Sequence, residues 1–305
     1  WHWWPSDSYI NSQRYGEGRD ACNFCGHVNM GCYQRAKSST DLNYWPRALR
    51  SGAEIETGAR VRRITTDNSG RATGADYVDS KGNERHQDAL AVIMAANGIG
   101  TPRLLLNSTS DSYPGGLANS TGLVGKNLMF HPFAMISGTF PEKMKTWQGP
   151  LSNFAFSQEF YETDKSRGFV RGYTYQFQRS LGPAWIAKGG FRDPVPWGKD
   201  HHAVLEKRLG SVMAMAVIGE DLPEHHNTVD LDPELVDSDG IPAPRIRYTL
   251  SKNSRDQLNH AIANAKKALE AAGASDIFVD PMMRQSGWHL MGTARMGDDP
   301  AKSVV

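Results

Sequence analysis

His289 sits in the run Gly287-Trp288-His289-Leu290-Met291-Gly292-Thr293-Ala294-Arg295-Met296-Gly297, one titratable ring among small and apolar residues. An imidazole changes charge near neutral pH, so it can take or give a proton where most side chains cannot. The glycines around it let a flat ligand come close to the backbone. A lone histidine beside glycines is also a common structural residue, and the rest of the chain has to decide between the two readings.

A second group able to do chemistry is Cys22, Cys25 and Cys32 with His27 between them. Four soft or borderline ligands within so short a stretch come close to what zinc or an iron–sulfur cluster requires. The spacing fits no standard zinc finger, and a Cys22–Cys25 or Cys25–Cys32 disulfide, or buried thiols, would use the same residues without a metal. Other histidines are weaker candidates. His201-His202 and His225-His226 are adjacent pairs, whose rings point to opposite faces of an extended chain. His131, held by Pro132, reads as structural, and His260 reads as a solvated residue on a helix. Asp230, Asp232, Asp237 and Asp239 alternate as in a calcium loop but lack its bidentate glutamate.

These side chains have to be positioned by secondary structure. Thr40 to Leu49 suits a helix ending at Ser51-Gly52, and Glu54 to Thr57 starts an extended run leading into Val61-Arg62-Arg63-Ile64. Turns at Asp67 to Gly70 and Ser80 to Asn83 separate strands at Ala72 to Val78 and Glu84 to Gln87. Leu90-Ala91-Val92-Ile93-Met94-Ala95 is a continuous apolar run and predicts a parallel strand buried on both faces. It would end at Ala95-Ala96-Asn97-Gly98, where open α/β sheets bind ligands. Beyond His131-Pro132, strands are predicted at Phe133 to Phe140, Phe169 to Arg179, Leu209 to Ile218, Thr228 to Leu231 and Arg245 to Leu250. Val170 to Phe177 alternates as a sheet with one packed face does. Ser251 caps an amphipathic helix, Arg255 to Ala272, that stops at Gly273. Gly182 to Trp185 and Pro194 to Trp197 read as surface turns.

Composition excludes several classes. With 39% hydrophobic residues among 305, the chain can bury a sizeable core in two lobes. The formal charge is +1 and no basic run occurs, which argues against a nucleic-acid partner. No apolar stretch approaches the roughly 20 residues that span a bilayer. Trp1-His2-Trp3-Trp4-Pro5 lacks the charged start and apolar core of a signal peptide.

Four motifs follow one another in an order that resembles a known family. They are the cysteine-bearing stretch from Cys22 to Lys37; Ala95-Ala96-Asn97-Gly98-Ile99-Gly100-Thr101-Pro102-Arg103-Leu104-Leu105-Leu106-Asn107-Ser108; Val124-Gly125-Lys126-Asn127-Leu128 with His131-Pro132; and His289-Leu290-Met291-Gly292-Thr293 with Met296-Gly297. Together they resemble the glucose-methanol-choline (GMC) family of flavin oxidoreductases, in its gluconate-dehydrogenase-like and choline-dehydrogenase-like bacterial branch. Relatives in that branch often carry another cysteine near Val28, which is absent here, and this argues against an iron–sulfur cluster.

The resemblance implies an α/β flavin-binding lobe, Rossmann-like and incomplete, plus an α+β substrate lobe with a mainly antiparallel sheet. Residues 1–132 would be the partial FAD-binding domain, 133–280 the substrate domain, and 281–305 the return to the flavin lobe. The family's Gly-x-Gly-x-x-Gly loop, which holds the FAD pyrophosphate at a helix N-terminus, does not occur here. The chain also stops before the family's second catalytic His or Asn. It therefore reads as an internal piece of a longer enzyme, expected to show little turnover alone. The implied cofactor is FAD, with Val61, Ala96, Asn97, Gly98, Thr101 and Asn127 as its contacts. His289 is the implied general base of alcohol oxidation by hydride transfer to flavin N5. The implied substrate is a sugar, sugar acid or polyol, and the electron acceptor a quinone, a cytochrome or oxygen. The competing class is a binding or structural module with a cysteine-held metal or disulfide.

Overall fold

The structure is a computed structural model and describes residues 1–16, 18–26, 31–149, 153–180, 182–190, 192–283 and 288–305. In chain order the strands are β1 (Trp4–Pro5), β2 (Arg60–Thr66), β3 (Ala72–Val78), β4 (Glu84–Asp88), β5 (Phe133–Thr139), β6 (Asn153–Ser157), β7 (Tyr173–Arg179), β8 (Val212–Gly219), β9 (Thr228–Val236), β10 (Pro242–Arg247) and β11 (Ser275–Asp280). The helices are α1 (Thr40–Asn43), α2 (Trp45–Arg50), α3 (Asn97–Asn107), α4 (Pro183–Ala187), α5 (His201–Arg208) and α6 (Lys252–Ala271). The chain divides into two compact units: Trp1–Glu54 with Pro132–Glu220 and Lys252–Ser286, and Ile55–His131 with Asp221–Ser251 and Gly287–Val305.

The first unit is built on a six-stranded antiparallel sheet in the order β1-β6-β7-β8-β5-β11. β5 has a neighbour on each edge, and all seven of its residues are buried. α6 lies against β5 and β8, and its buried residues Ser254, Gln257, Leu258, Ala261, Ala265 and Leu269 follow one another at three- or four-residue steps, apart from the adjacent pair Gln257 and Leu258, and form one stripe of a helix. Burying a leucine is worth about 1.5–3 kcal/mol, so Leu258 and Leu269 contribute more to holding α6 than its intrinsic propensity does. The alternation expected in β7 is present, with Tyr173 and Tyr175 buried on one face. The Tyr175 hydroxyl donates to the Ala261 carbonyl at 2.6 Å.

His260 corrects an expectation. It is half-buried rather than solvated, with Nδ1 2.8 Å from the Tyr173 hydroxyl and its ring edge-on to Phe160 and Phe169. Burial, helped by Arg167 and Lys267, holds its pKa below the usual imidazole value. Burial also pushes Tyr173 up to about 12. The Gly182 to Trp185 turn is also corrected, because Pro183 at the first helical position starts α4 there.

The second unit holds the antiparallel meander β2-β3-β4 and the hairpin β9-β10, with α3 against β2, β9 and β10. Ile64, Leu105, Val124, Leu128, Val229 and Ile241 are buried in it. Asp230 and Asp232 lie in β9, a strand that begins at Thr228 as predicted and runs on to Val236, while Asp237 and Asp239 form the turn that follows. Arg103 reaches from α3 to this turn, donating to Asp237 Oδ2 at 2.8 Å and to the carbonyls of Ile241 and Pro242. Burial opposes ionisation of Asp237, but Arg103 and the backbone N–H groups of Ile241 and Asp239 outweigh it and hold the carboxyl at about 2.

Every strand pair among the described residues is antiparallel. The parallel strand expected at Leu90 to Ala95 is therefore overturned. The β3–β4 ladder ends where the Ala89 N–H donates to the Thr73 carbonyl, and the next six residues lie outside any strand, with Leu90 and Ile93 exposed. Without a neighbouring strand there is neither a ladder nor a covering face to bury them. No helix among the described residues is long and apolar enough to cross a membrane.

Candidate functional site

The residues expected to bind FAD and move protons all fall in the second unit, Val61 on β2 and the others on three segments. The first is the start of α3. Asn97 takes a left-handed backbone (φ 59°), and its Oδ1 accepts from the N–H groups of Ile99 (2.8 Å) and Gly100 (3.2 Å). Those N–H groups have no partner inside a helix, so the side chain caps its own first turn. Thr101 lies four residues on, half-buried on the same helical face.

The second segment is Gly125 to Met129. Asn127 is 4% exposed with φ 60°, and its Nδ2 is buried without a hydrogen-bond partner. Such an orphaned donor costs about 1–3 kcal/mol unless something accepts from it.

The third segment, Trp288 to Thr293, joins the other two. Gly125 N donates to the Thr293 carbonyl at 2.8 Å, and Met129 and Met291 exchange backbone bonds of 3.0 and 3.2 Å. The buried Thr293 hydroxyl donates to the Gly98 carbonyl at 2.7 Å. Two glycines permit this approach. A Cβ on Gly98 would lie 2.7 Å from Leu290 Cβ, and one on Gly292 (φ 90°) would lie 1.9 Å from the Asn127 carbonyl oxygen. The arrangement leaves His289 exposed with φ 56°, a conformation that costs a histidine on the order of 1–3 kcal/mol. Its ring meets that of His131 edge-to-face, with centroids 5.0 Å apart.

Val61 and Ala96 share a cleft of about 450 Å³, walled also by Ile64, Val92, Met94 and Ala95. Val61 is 41% exposed on that wall, so it is not merely a buried strand residue. Arg60, Arg62 and Arg103 reach the cleft too, but each is paired, with Asp239, Glu84 and Asp237 respectively. The cleft therefore offers an apolar slot with balanced charge rather than a free cationic site.

The cysteine expectations are corrected. Cys22 and Cys32 are half-buried and Cys25 is exposed, and all three are free thiols. The Sγ atoms of Cys22 and Cys32 each accept from a nearby backbone N–H, of Phe24 and Lys37, within their own turns. Among the described residues no three His, Cys, Asp or Glu side chains gather as a metal would require, and nothing supports an iron–sulfur cluster. His27 lies outside the described residues.

Sequence reasoning missed two features here. One is the contact of His131 with His289. The other is His86, whose Nδ1 and Nε2 lie 2.7 and 3.1 Å from carboxylate oxygens of Asp76 and Asp88, which raise its pKa. The strand pattern places His86 and Asp76 on neighbouring strands, but only the register of β3 with β4 sets them opposite each other.

Models of the GMC oxidoreductase family match residues 11–133 and 223–305. The chain is 41% identical to a 2-methyl-1,2-propanediol dehydrogenase of Mycolicibacterium austroafricanum, over all of this chain and 56% of the relative. It is 27% identical to a gluconate 2-dehydrogenase flavoprotein of Pantoea cypripedii, over 98% of this chain and 51% of the relative. The chain thus spans about half the length of these relatives. Among solved structures, a formate oxidase of Aspergillus oryzae, studied for modification of its FAD, aligns with 81% of this chain and 52% of its own at a TM-score of 0.54 and 15% identity, a likeness of fold. The two family matches fall in order at the two ends of the chain and take in both the α3 segment and the His289 segment, and the chain belongs to the GMC oxidoreductase family.

Proposed function

We propose that this chain forms the proton-handling part of an FAD-dependent enzyme that oxidises an alcohol of the sugar, sugar-acid or polyol class, with His289 as general base. One observation carries the reading. Asn97, Asn127 and His289 each hold a left-handed backbone and are drawn to one place by Leu290 to Thr293, as expected of a site that fixes side chains at the expense of local strain.

The residues present fit the flavin. The unpaired, buried Nδ2 of Asn127 is a donor in want of an acceptor, which the ring carbonyls and nitrogens of FAD supply. The apolar slot at Val61 and Ala96 suits a flat adenine ring. Gly98 lets the His289 segment come close to the start of α3, where Asn97 and Thr101 supply polar side chains four residues apart.

An alcohol carbon releases hydride only as its hydroxyl loses a proton, because the developing alkoxide pushes the C–H electrons outward. His289 takes that proton from the substrate oxygen, a contribution typically of ~10²–10⁴-fold. Bound FAD supplies the two-electron acceptor, at N5. Gly292 and Thr293 fix the backbone that carries His289, and Asn127 would hold the flavin ring through its buried Nδ2. A quinone or cytochrome would be the electron acceptor of this reading.

The test is anaerobic reduction of the flavin in the full-length protein by 2-methyl-1,2-propanediol, gluconate or glycerol, followed at the visible absorption bands. His289→Ala is expected to slow reduction about 100-fold or more with FAD retained. Unchanged reduction removes His289 from the chemistry, and a full-length protein without flavin rejects the oxidoreductase reading altogether. Rapid reoxidation by oxygen, with none by a soluble quinone, would overturn the choice of acceptor.

A further inference from the structure

We infer that His131 is a positioning residue for His289, setting the plane of the imidazole through an edge-to-face ring contact. The inference rests on His289 being the base. It starts from register. Met129 and Met291 form an antiparallel bridge with both backbone bonds made, N to O at 3.0 and 3.2 Å. In an antiparallel pair, residues two further along one strand and two back along the other again face each other on the same side. His131 and His289 stand at those two positions beside the bridge, where the left-handed backbone of His289 ends the extended pairing, and their rings meet at 5.0 Å between centroids and 89° between planes, the edge-to-face geometry that aromatic pairs favour.

The two rings are not equally constrained. His289 is exposed, so its side chain has little packing to choose a rotamer. His131 is half-buried and followed by Pro132, which restricts its backbone to extended conformations. The better-held ring therefore limits the freer one. A base must keep its nitrogen within hydrogen-bond reach of the substrate oxygen, so narrowing its rotamers raises the fraction of bound substrate that is aligned to react. Leaving His289 unsupported would conflict with the strained backbone and close glycine contact already used to place it.

The experiment uses the full-length FAD-loaded protein and its His131→Ala, His131→Phe and His289→Ala variants, with two readouts. The first is the ring C–H resonances of His289 without substrate, assigned by their loss in His289→Ala. His131→Ala should shift them away from their wild-type positions as the neighbouring ring current disappears, and His131→Phe should restore a ring-current shift. The second is flavin reduction by saturating 2-methyl-1,2-propanediol, gluconate or glycerol, whichever reduces the wild-type protein. His131→Ala should slow it about tenfold at unchanged flavin content, and His131→Phe should stay within about threefold of wild type. Unmoved resonances in His131→Ala overturn the contact. Moved resonances with an unchanged rate overturn positioning, and so does a His131→Phe protein as slow as the alanine variant, since a ring without nitrogens would then not suffice. If His131→Ala does not fold, His131→Phe alone decides by the same rate criterion. Should His289→Ala leave reduction unchanged, the reading of His289 as base fails, while the resonances still decide whether His131 holds it.

Discussion

Two apolar runs of similar length have opposite fates. Phe133–Thr139 contains a serine, a glycine and a threonine, yet every residue is buried as β5. Leu90 to Ala95 has no polar residue at all, yet Leu90 and Ile93 stand in solvent. The difference is in their neighbours. β5 has β8 on one edge, β11 on the other and α6 against it, while the Leu90 run follows a ladder that ends at Ala89. Burial is a property of the pairing as much as of the side chains, and hydrophobicity alone predicts neither face.

Four changes break or sharpen this contrast, from largest to smallest. Ile136→Ala in β5 should cost about 2–5 kcal/mol in urea unfolding of the full-length protein, because Ile136 is fully buried between two strands. A loss under about 1 kcal/mol would mean that β5 is not buried between β8 and β11. Gly292→Ala, which forces a left-handed alanine against the Asn127 carbonyl, should cost about 1–3 kcal/mol and weaken flavin retention. An unchanged melting temperature and flavin content would show that the close approach is not needed.

The third change is one of pH. The folded state favours neutral His260, so the stability it contributes is present above the unfolded imidazole pKa of 6.5 and is lost as pH falls through that value toward the lower folded pKa. Urea midpoints measured downward from neutrality should decline, and His260→Gln should flatten part of that decline. An equal slope in the variant would assign the acid sensitivity elsewhere. Ile93→Ser, the smallest, should leave stability within about 0.5 kcal/mol if the run stays exposed in the full-length protein. A cost of 2 kcal/mol or more would show that the run is buried there, on a scale set by core leucines and isoleucines.

Local patterns make part of this architecture legible. The turns at Asp67 to Gly70 and Ser80 to Asn83 bound β3 where predicted, because Asp67 and Asp79 accept from backbone N–H groups two and four residues on. α6 is legible from its stripe, and its end from Gly273 at φ 87°. The helix predicted over Thr40 to Leu49 is present but broken at Tyr44, since Pro46 supplies no N–H for a continuous ladder. β6 and β11 are missed because five- and six-residue segments with polar ends carry little periodicity of their own. At the site, motif order singles out Asn97, Asn127 and His289. What brings them together is the Met129–Met291 register and the glycine approaches, information held between distant segments rather than within any one of them.

The exposed Leu90 run also bears on handling the molecule. Six consecutive residues without charge, proline or glycine, next to the open end of a ladder, have the makings of a self-templating stack, in which identical segments from many chains pair in register. A single lysine in that segment is therefore expected to do more for the solubility of this chain than several on the sheet faces.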